Sequence, residues 1–96
     1  MIRHTAVFRL KHPVGSMQEA DFLTTILQLK TIPGVEKFEL LRQISPKSEY
    51  HYGVSMEFKD QAAYTGYNEH PEHVAFVKTR WVPEVAAFTE IDYVPV

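Results

Sequence analysis

Residues 50–58 read Tyr-His-Tyr-Gly-Val-Ser-Met-Glu-Phe, and large apolar side chains alternate with polar or small ones from position 52 onward. The apolar set is Tyr52, Val54, Met56 and Phe58. Successive side chains of a strand point to opposite sides of a sheet, so a period of two predicts a strand with one buried face. The order of the other elements can be worked out in both directions from this strand.

Three elements are predicted on its N-terminal side. A strand over Val35 to Ser45 is separated from it by the loop Pro46-Lys47-Ser48, and another strand runs from Ile2 to Lys11. Between them, a helix from Met17 to about Thr31 carries a broad apolar stripe, which Pro33-Gly34 terminates. The stripe consists of Phe22, Leu23, Ile26, Leu27 and Lys30.

Capping signals mark where the helices begin. Ser16 is a favourable N-cap for the first helix, and Glu19 three residues later completes a capping box. Asp60 caps a second, short helix that reaches about Glu69. A helix restarts at Pro71, a suitable first helical residue because its φ is already helical and it has no N–H to satisfy. That helix is expected to end at about Val82, before Pro83, and a last strand covers Ala87 to Val94.

The resulting β-α-β-β-α-β order predicts an α+β protein with a ferredoxin-like fold, in which both helical layers cover one face of a four-stranded antiparallel sheet. One domain over residues 1–96 fits this length. Apolar residues on both faces of the strands, such as Val7 beside Ala6 and Phe8, predict a homodimer that packs sheet on sheet as a dimeric α/β barrel. Leu41 beside Phe38 and Leu40 shows the same pattern.

The composition of the chain limits the classes of partner that we expect it to bind. The 96 residues carry a formal net charge of −2 and no cysteine. The absence of a basic patch argues against nucleic-acid binding, and no apolar run has membrane-spanning length. Without cysteine there is no disulfide framework and no thiolate metal site. A soluble, cytoplasmic protein is the expectation.

Residues 70–75, His-Pro-Glu-His-Val-Ala, are the strongest candidate for chemistry. The proline places His70 at the helix entrance and His73 one turn in, where the helix dipole favours neutral imidazole. A neutral imidazole accepts protons, so His73 is a candidate base. The alternative is a metal pair formed by His70 and His73 with Glu72, but helical metal pairs more often use spacing i, i+4, and no metal is expected.

These motifs resemble those of the stress-responsive dimeric α/β-barrel family, called Dabb, along nearly the whole chain. The resemblance is carried by His4 with Val7 and Phe8, by Ile32-Pro33-Gly34-Val35, by Met56-Glu57-Phe58, by Tyr67 followed by His70-Pro71-Glu72-His73-Val74-Ala75-Phe76, and by Ile91-Asp92-Tyr93. It implies a ferredoxin-like homodimer joined through its sheets, with a pocket between sheet and helices in each subunit.

The resemblance also implies site residues. One plant member of the family closes a polyketide ring by aldol chemistry without a cofactor, and the residues that serve it match His4, Tyr67 and His73. Aldol closure needs a base beside a carbonyl and a donor for the enolate oxygen. His73 is then the expected base, and Tyr67 or His4 the expected donor.

Each candidate also has a structural explanation. His73 is as readily a buried histidine that ties the second helical layer to the sheet, and Tyr67 is as readily a core residue. His4 lies on the inward side with Ala6 and needs a partner, for which His73 or Asp92 is available.

Two functions therefore stay open: a stress-response homodimer that binds a small apolar molecule, and a cofactor-independent lyase or cyclase acting on a small carbonyl or polyketide compound. A filled interior favours the binding protein, and an open cavity touching His4, Tyr67 and His73 favours the enzyme.

Overall fold

The computed structural model describes all of residues 1–96. Its four strands form one sheet in the order β2-β3-β1-β4, and all neighbouring strands are antiparallel. The strands are β1 Ile2–Leu10, β2 Glu36–Arg42, β3 Tyr52–Phe58 and β4 Val85–Tyr93. The helices are α1 Met17–Ile26, α2 Gln61–Glu69, α3 Pro71–Phe76 and α4 Val82–Glu84. The predicted ferredoxin-like fold is thus confirmed.

Strand β1 lies at the centre of the sheet, paired with β3 on one side and β4 on the other. His4 lies opposite Met56 of β3 and opposite Asp92 of β4. Residues 4, 6, 8 and 10 of β1 are buried, whereas the residues between them are at least partly exposed. This alternation follows from the pleat of a strand, so the inward register predicted for His4 is correct.

The core lies between the inner face of the sheet and the helices. Fifteen buried apolar residues form it as one cluster, and Phe8, Phe22 and Phe58 have no measurable exposure. Phe22 of α1 packs against Phe8 of β1, with 5.9 Å between ring centroids, and against Phe76 of α3 at 5.6 Å. These aromatic contacts join one strand and two helices across the interior.

The first helix begins as expected but ends differently. The Ser16 hydroxyl accepts the backbone N–H of Glu19, whereas the Glu19 carboxylate accepts the N–H of Gly15 rather than that of Ser16. Glu19 therefore takes part in capping as predicted, but its carboxylate accepts from Gly15, the residue before the N-cap, and not from the N-cap itself. Gly15 has φ of +82°, a conformation that glycine adopts without strain, and this turn directs its N–H toward the carboxylate.

The apolar stripe shifts at the end of this helix because residues Leu27–Thr31 form a 3₁₀ helix. Three residues per turn place Ile26, Leu29 and Ile32 on one line, and all three are buried. Leu27 and Lys30, which the sequence analysis assigned to the stripe, are exposed. That assignment was wrong because it extended the α-helical period into the tighter turn.

The second helical layer is interrupted twice. His70 has extended backbone angles between α2 and α3, and its Nδ1 accepts the N–H of Glu72, which confirms its capping role. After α3, residues Val77–Trp81 form a π-helical turn, and α4 continues from it through Pro83. The predicted end before Pro83 was therefore wrong: Pro83 is the second residue of α4, and its fixed φ is helical, so it extends the helical path to Glu84 without donating a backbone hydrogen bond.

The outer face of the sheet is mixed rather than uniformly apolar. Val7 lies there beside Gly53, and Ile91 and Leu41 are 45% and 47% exposed. The same face carries Glu57, whose carboxylate contacts the guanidinium of Arg3 and the ammonium of Lys37. Hydrogen bonding to Arg3 lowers the pKa of Glu57. The expected apolar outer face is therefore correct only for part of the sheet.

The strands also differ at their ends from those predicted. Strand β2 is shorter than predicted, since it ends at Arg42 rather than at Ser45. Within it, Lys37 adopts φ of +50° and the register with β3 shifts between residues 36 and 39, as at a bulge. No helix of the structure combines the length and the hydropathy needed to cross a membrane.

Candidate functional site

A cavity of about 480 Å³ lies between the sheet and the helical layer. Val82 and Phe88, which are 65% and 52% exposed, lie at its rim, so it is open to solvent on the β4 side. Most of its wall is apolar, and its polar groups gather where β1, β4 and the α2–α3 junction meet. The lining residues are His4, Ala6, Ile26, Leu29, Val54, Met56, Tyr67, Asn68, His73, Phe76, Val77, Trp81, Val82, Val85, Phe88 and Glu90.

His73 lies in the first turn of α3, one turn after the chain reverses at His70. Its Nδ1 is 3.0 Å from the backbone oxygen of Asn68. A carbonyl oxygen only accepts, so Nδ1 carries the proton and the neutral ring has its lone pair on Nε2. Nε2 has no protein partner. Burial lowers the pKa of His73, with a smaller contribution from nearby His4. The imidazole is therefore neutral in the physiological range, chiefly through burial rather than through the helix dipole.

Tyr67 lies between the two histidines. Its ring centroid is 4.4 Å from that of His73 and 6.2 Å from that of His4. Only 2% of Tyr67 is exposed, and burial is the main cause of its raised pKa. The phenol therefore stays protonated, and its hydroxyl has no hydrogen-bond partner within the protein. An unpaired hydroxyl on a residue that lines the cavity is available to donate to a ligand oxygen.

His4 is held by two groups on its Nδ1 side. Asp92 Oδ1 lies 2.6 Å from Nδ1, and the Tyr64 hydroxyl oxygen lies 2.9 Å from it. The Asp92 carboxylate accepts only, so Nδ1 carries the proton and Nε2 is left free. The Tyr64 hydroxyl donates to Asp92 Oδ2 over 2.8 Å. The Asp92 contact that the strand order suggested is therefore present, and Tyr64 adds a third member from α2.

Two residues of this polar end had no assigned role in the sequence. Tyr64 looked like a core residue because it is three positions from Tyr67 on the same helix. Glu90 lies 3.8 Å from His4 Nδ1 and 3.3 Å from the Tyr64 hydroxyl. The signal for Glu90 was its spacing of two from Asp92, which places both on the inner face of β4. Away from the polar end, Trp81 also lines the cavity.

The structure brings together His4, Tyr67 and His73 around one cavity but separates His70 from it. His70 uses its Nδ1 as a helix cap, and the Nδ1 of His73 faces a backbone oxygen. A different trio, His4, Glu90 and Asp92, has donor atoms within 4.8 Å of one another. In this trio, His4 Nδ1 is already hydrogen-bonded to Asp92 Oδ1, and Asp92 Oδ2 already accepts the Tyr64 hydroxyl.

Residues 2–95 match the sequence model of the stress responsive A/B barrel domain, Dabb. The chain belongs to the Dabb family. No curated protein matches this Dabb chain.

Solved structures show the same fold. A Dabb family protein with a ferredoxin-like fold from Mesorhizobium loti is 64% identical, with a TM-score of 0.98 over 99% of this chain and 96% of the other. A dimeric ferredoxin-like protein of unknown function from Thermobifida fusca is 22% identical, with a TM-score of 0.80 over 98% and 90%. A hydroxynitrile lyase from Passiflora edulis is 16% identical, with a TM-score of 0.86 over 99% and 93%.

We predict that Tyr64→Phe lowers the free energy of unfolding by about 1 kcal/mol, because a carboxylate loses its hydroxyl donor beside a buried histidine. Urea denaturation followed by circular dichroism measures the change. Tyr50→Phe is the matched control, since its hydroxyl contacts only that of Thr89 on the exposed side. An equal change in the two variants would contradict a supporting role for the Tyr64 hydroxyl.

Proposed function

We propose that this Dabb chain binds a small, mainly apolar molecule in the cavity of each protomer. The observation that carries the proposal is the apolar lining of the cavity: twelve of the sixteen residues around its volume of about 480 Å³ are apolar. The openness of the cavity is by itself the feature that favours an enzyme, which is the second candidate below. Pockets of roughly 300–1,000 Å³ with apolar walls and a few placed polar groups are typical of small-molecule sites. The polar groups here lie at one end, which suits a ligand with a polar head and an apolar body.

The neutral fluorophore N-phenyl-1-naphthylamine tests this binding. We predict saturable fluorescence enhancement by the protein, and at least about tenfold weaker binding to Ala6→Leu, because Ala6 lines the cavity and a larger side chain occupies its space. Ala62→Leu, on the exposed side of α2, is the control and leaves affinity unchanged. Dye binding that is equal in all three proteins would place the dye outside the cavity and contradict the proposal.

A second candidate function is cofactor-independent lyase or cyclase chemistry on a small carbonyl or polyketide compound. It is favoured by the open cavity, which touches His4, Tyr67 and His73 together. Nε2 of His73 has its lone pair free, and the Tyr67 hydroxyl has its proton free. The Passiflora edulis relative, a hydroxynitrile lyase, supports the idea that this fold carries lyase chemistry, although likeness at this identity concerns the fold alone.

The chemistry divides between two residues. Nε2 of His73 removes a proton from the carbon beside a carbonyl, and the C–H electron pair moves to the carbonyl oxygen as an enolate. The Tyr67 hydroxyl donates a hydrogen bond to that oxygen. In an aldol closure the enolate carbon then attacks a second carbonyl carbon. The proton held by the His73 imidazolium passes to the new alkoxide, so the base is regenerated.

Deuterium exchange at the carbons beside the carbonyl of 4-phenyl-2-butanone, followed by NMR in D₂O, tests the base directly. We predict exchange above the buffer rate that falls roughly 10²–10⁴-fold in His73→Ala and little in His70→Ala. Because the pKa of His73 is lowered, the rate should rise with pH through a midpoint below the ordinary value of about 6.5 and then level off. Chelator treatment should leave it unchanged.

Three results would reject this base. These are a full rate in His73→Ala, loss of the rate on chelation, and a pH midpoint well above the ordinary histidine range. Binding of the ketone without any exchange would leave the first function, small-molecule binding, as the role of the cavity.

We also propose that the chain is a homodimer joined through the outer faces of its sheets. Relatives from Thermobifida fusca and two other organisms are described as dimeric ferredoxin-like proteins. In this chain the outer face leaves Ile91 and Tyr93 about half exposed, opposite Thr5 and Arg3 of the central strand and on the same face as Val7. Covering these side chains removes apolar surface from water, which is a favourable contribution to association.

Light scattering tests the dimer, with an expected mass of about twice the 11.1 kDa of one chain. We predict that Val7→Asp raises the dissociation constant at least about a hundredfold, because an unpaired charge in a packed interface costs several kcal/mol. Thr24→Asp, on the exposed side of α1, is the control and preserves the dimer. A monomer at micromolar concentration of the unaltered chain would refute the proposal.

A cytoplasmic location and a role in the stress response were expected from the sequence and its family resemblance. Both stay predictions.

A further inference from the structure

Glu90 is the one carboxylic acid among the residues that line the cavity, and no lysine or arginine lines it. The remaining lining residues are His4, His73, Asn68 and the twelve apolar ones. The side chain of Glu90 is 51% exposed, and its nearest polar contacts are the Tyr64 hydroxyl and His4 Nδ1. The cavity therefore has one charged wall, and that wall is acidic.

A second carboxylate lies directly beside Glu90. Asp92 is two residues further along β4, so the two side chains share the inner face, and a carboxylate oxygen of each lies within 4.8 Å of one of the other. Neither forms an ion pair with a lysine or arginine. The arginines and lysines that do form ion pairs make them with Glu57, Glu49, Asp21 and Glu84.

We infer that Glu90 determines the charge preference of the cavity, which selects an apolar molecule bearing an ammonium group and rejects the same molecule bearing a carboxylate. This inference rests on the proposed binding function. An ammonium group placed at the polar end relieves the repulsion between two neighbouring carboxylates and gains a charge-assisted hydrogen bond. A carboxylate placed there adds a third negative charge near a low-dielectric wall.

An organic cation fits this end better than a divalent metal ion. His4, Glu90 and Asp92 are close enough to act as ligands, but Nδ1 of His4 and both Asp92 oxygens are already hydrogen-bonded within the protein. The Tyr64 hydroxyl, which donates a proton, lies among them. A metal ion would have to displace these bonds, whereas an ammonium group donates to the half-exposed Glu90 carboxylate without disturbing them. The apolar remainder of the cavity then covers the body of the ligand.

Three probes of equal length separate charge from size: 4-phenylbutylamine, 4-phenylbutanol and 4-phenylbutanoate. Trp81, the single tryptophan of the chain, lines the cavity, so its fluorescence reports binding. With the full-length protein at pH 7.5 and low salt, the amine should bind about tenfold more tightly than the alcohol. The carboxylate should bind about tenfold more weakly than the alcohol.

Two variants assign the preference to Glu90. Glu90→Gln should bring the three affinities to within about threefold of one another. Glu90→Lys should bind the carboxylate more tightly than the amine. The matched control is Glu69→Gln, which removes the same charge from an exposed position on α2 outside the cavity. It should keep the order of the unaltered protein.

The outcomes separate this inference from the function on which it rests. If none of the three probes alters Trp81 fluorescence, small-molecule binding and the inference are both wrong. If the alcohol binds but the amine and the carboxylate bind equally to the unaltered protein, only the charge preference is wrong. If Mg²⁺ or Zn²⁺ alone binds tightly and Glu90→Gln abolishes it, the polar end is a metal site and the inference is overturned.

Discussion

The pairing of the first strand with the last holds the rest of the molecule in place. It sets His4 opposite Asp92 and Phe8 opposite Phe88, although these residues stand more than 75 positions apart in the chain. Because side chains of a strand alternate between the two faces of the sheet, this register decides which residues point inward, and that has two effects. It completes the inner face on which the helices pack, and it places an ionisable pair at one end of the core. A shift of one residue would turn the whole set to the other face.

Alternation in the strands made most of the fold predictable. The pattern around Val54 and Met56 identifies a strand with one buried face, and the same pattern in the first strand gives the inward direction of His4. Strand order then makes the contact with Asp92 foreseeable. The end of the first helix was less predictable, because Leu27 and Leu29 are equally apolar. Only the change to three residues per turn decides which of them is buried.

The polar end of the cavity was predictable only in part. His4, Tyr67 and His73 follow from the family resemblance, since their residue types and spacing are distinctive. Tyr64 and Glu90 do not, because their role depends on how far α2 lies from β4, and a one-dimensional pattern contains no such distance. A tyrosine on a buried helix face looks the same in sequence whether its hydroxyl meets carboxylates or nothing at all.

The π-helical turn Val77–Trp81 has a consequence for how such cavities diversify. A turn of this kind contains one residue more than an α-helical turn, and each residue of an α-helix rotates the chain by about 100°. Val77 and Trp81 both line the cavity across this turn. Loss of a single residue here would restore a regular helix and rotate everything after it, including Trp81. Insertions and deletions within the helix, and not substitutions alone, are therefore a route by which one scaffold can acquire differently shaped interiors.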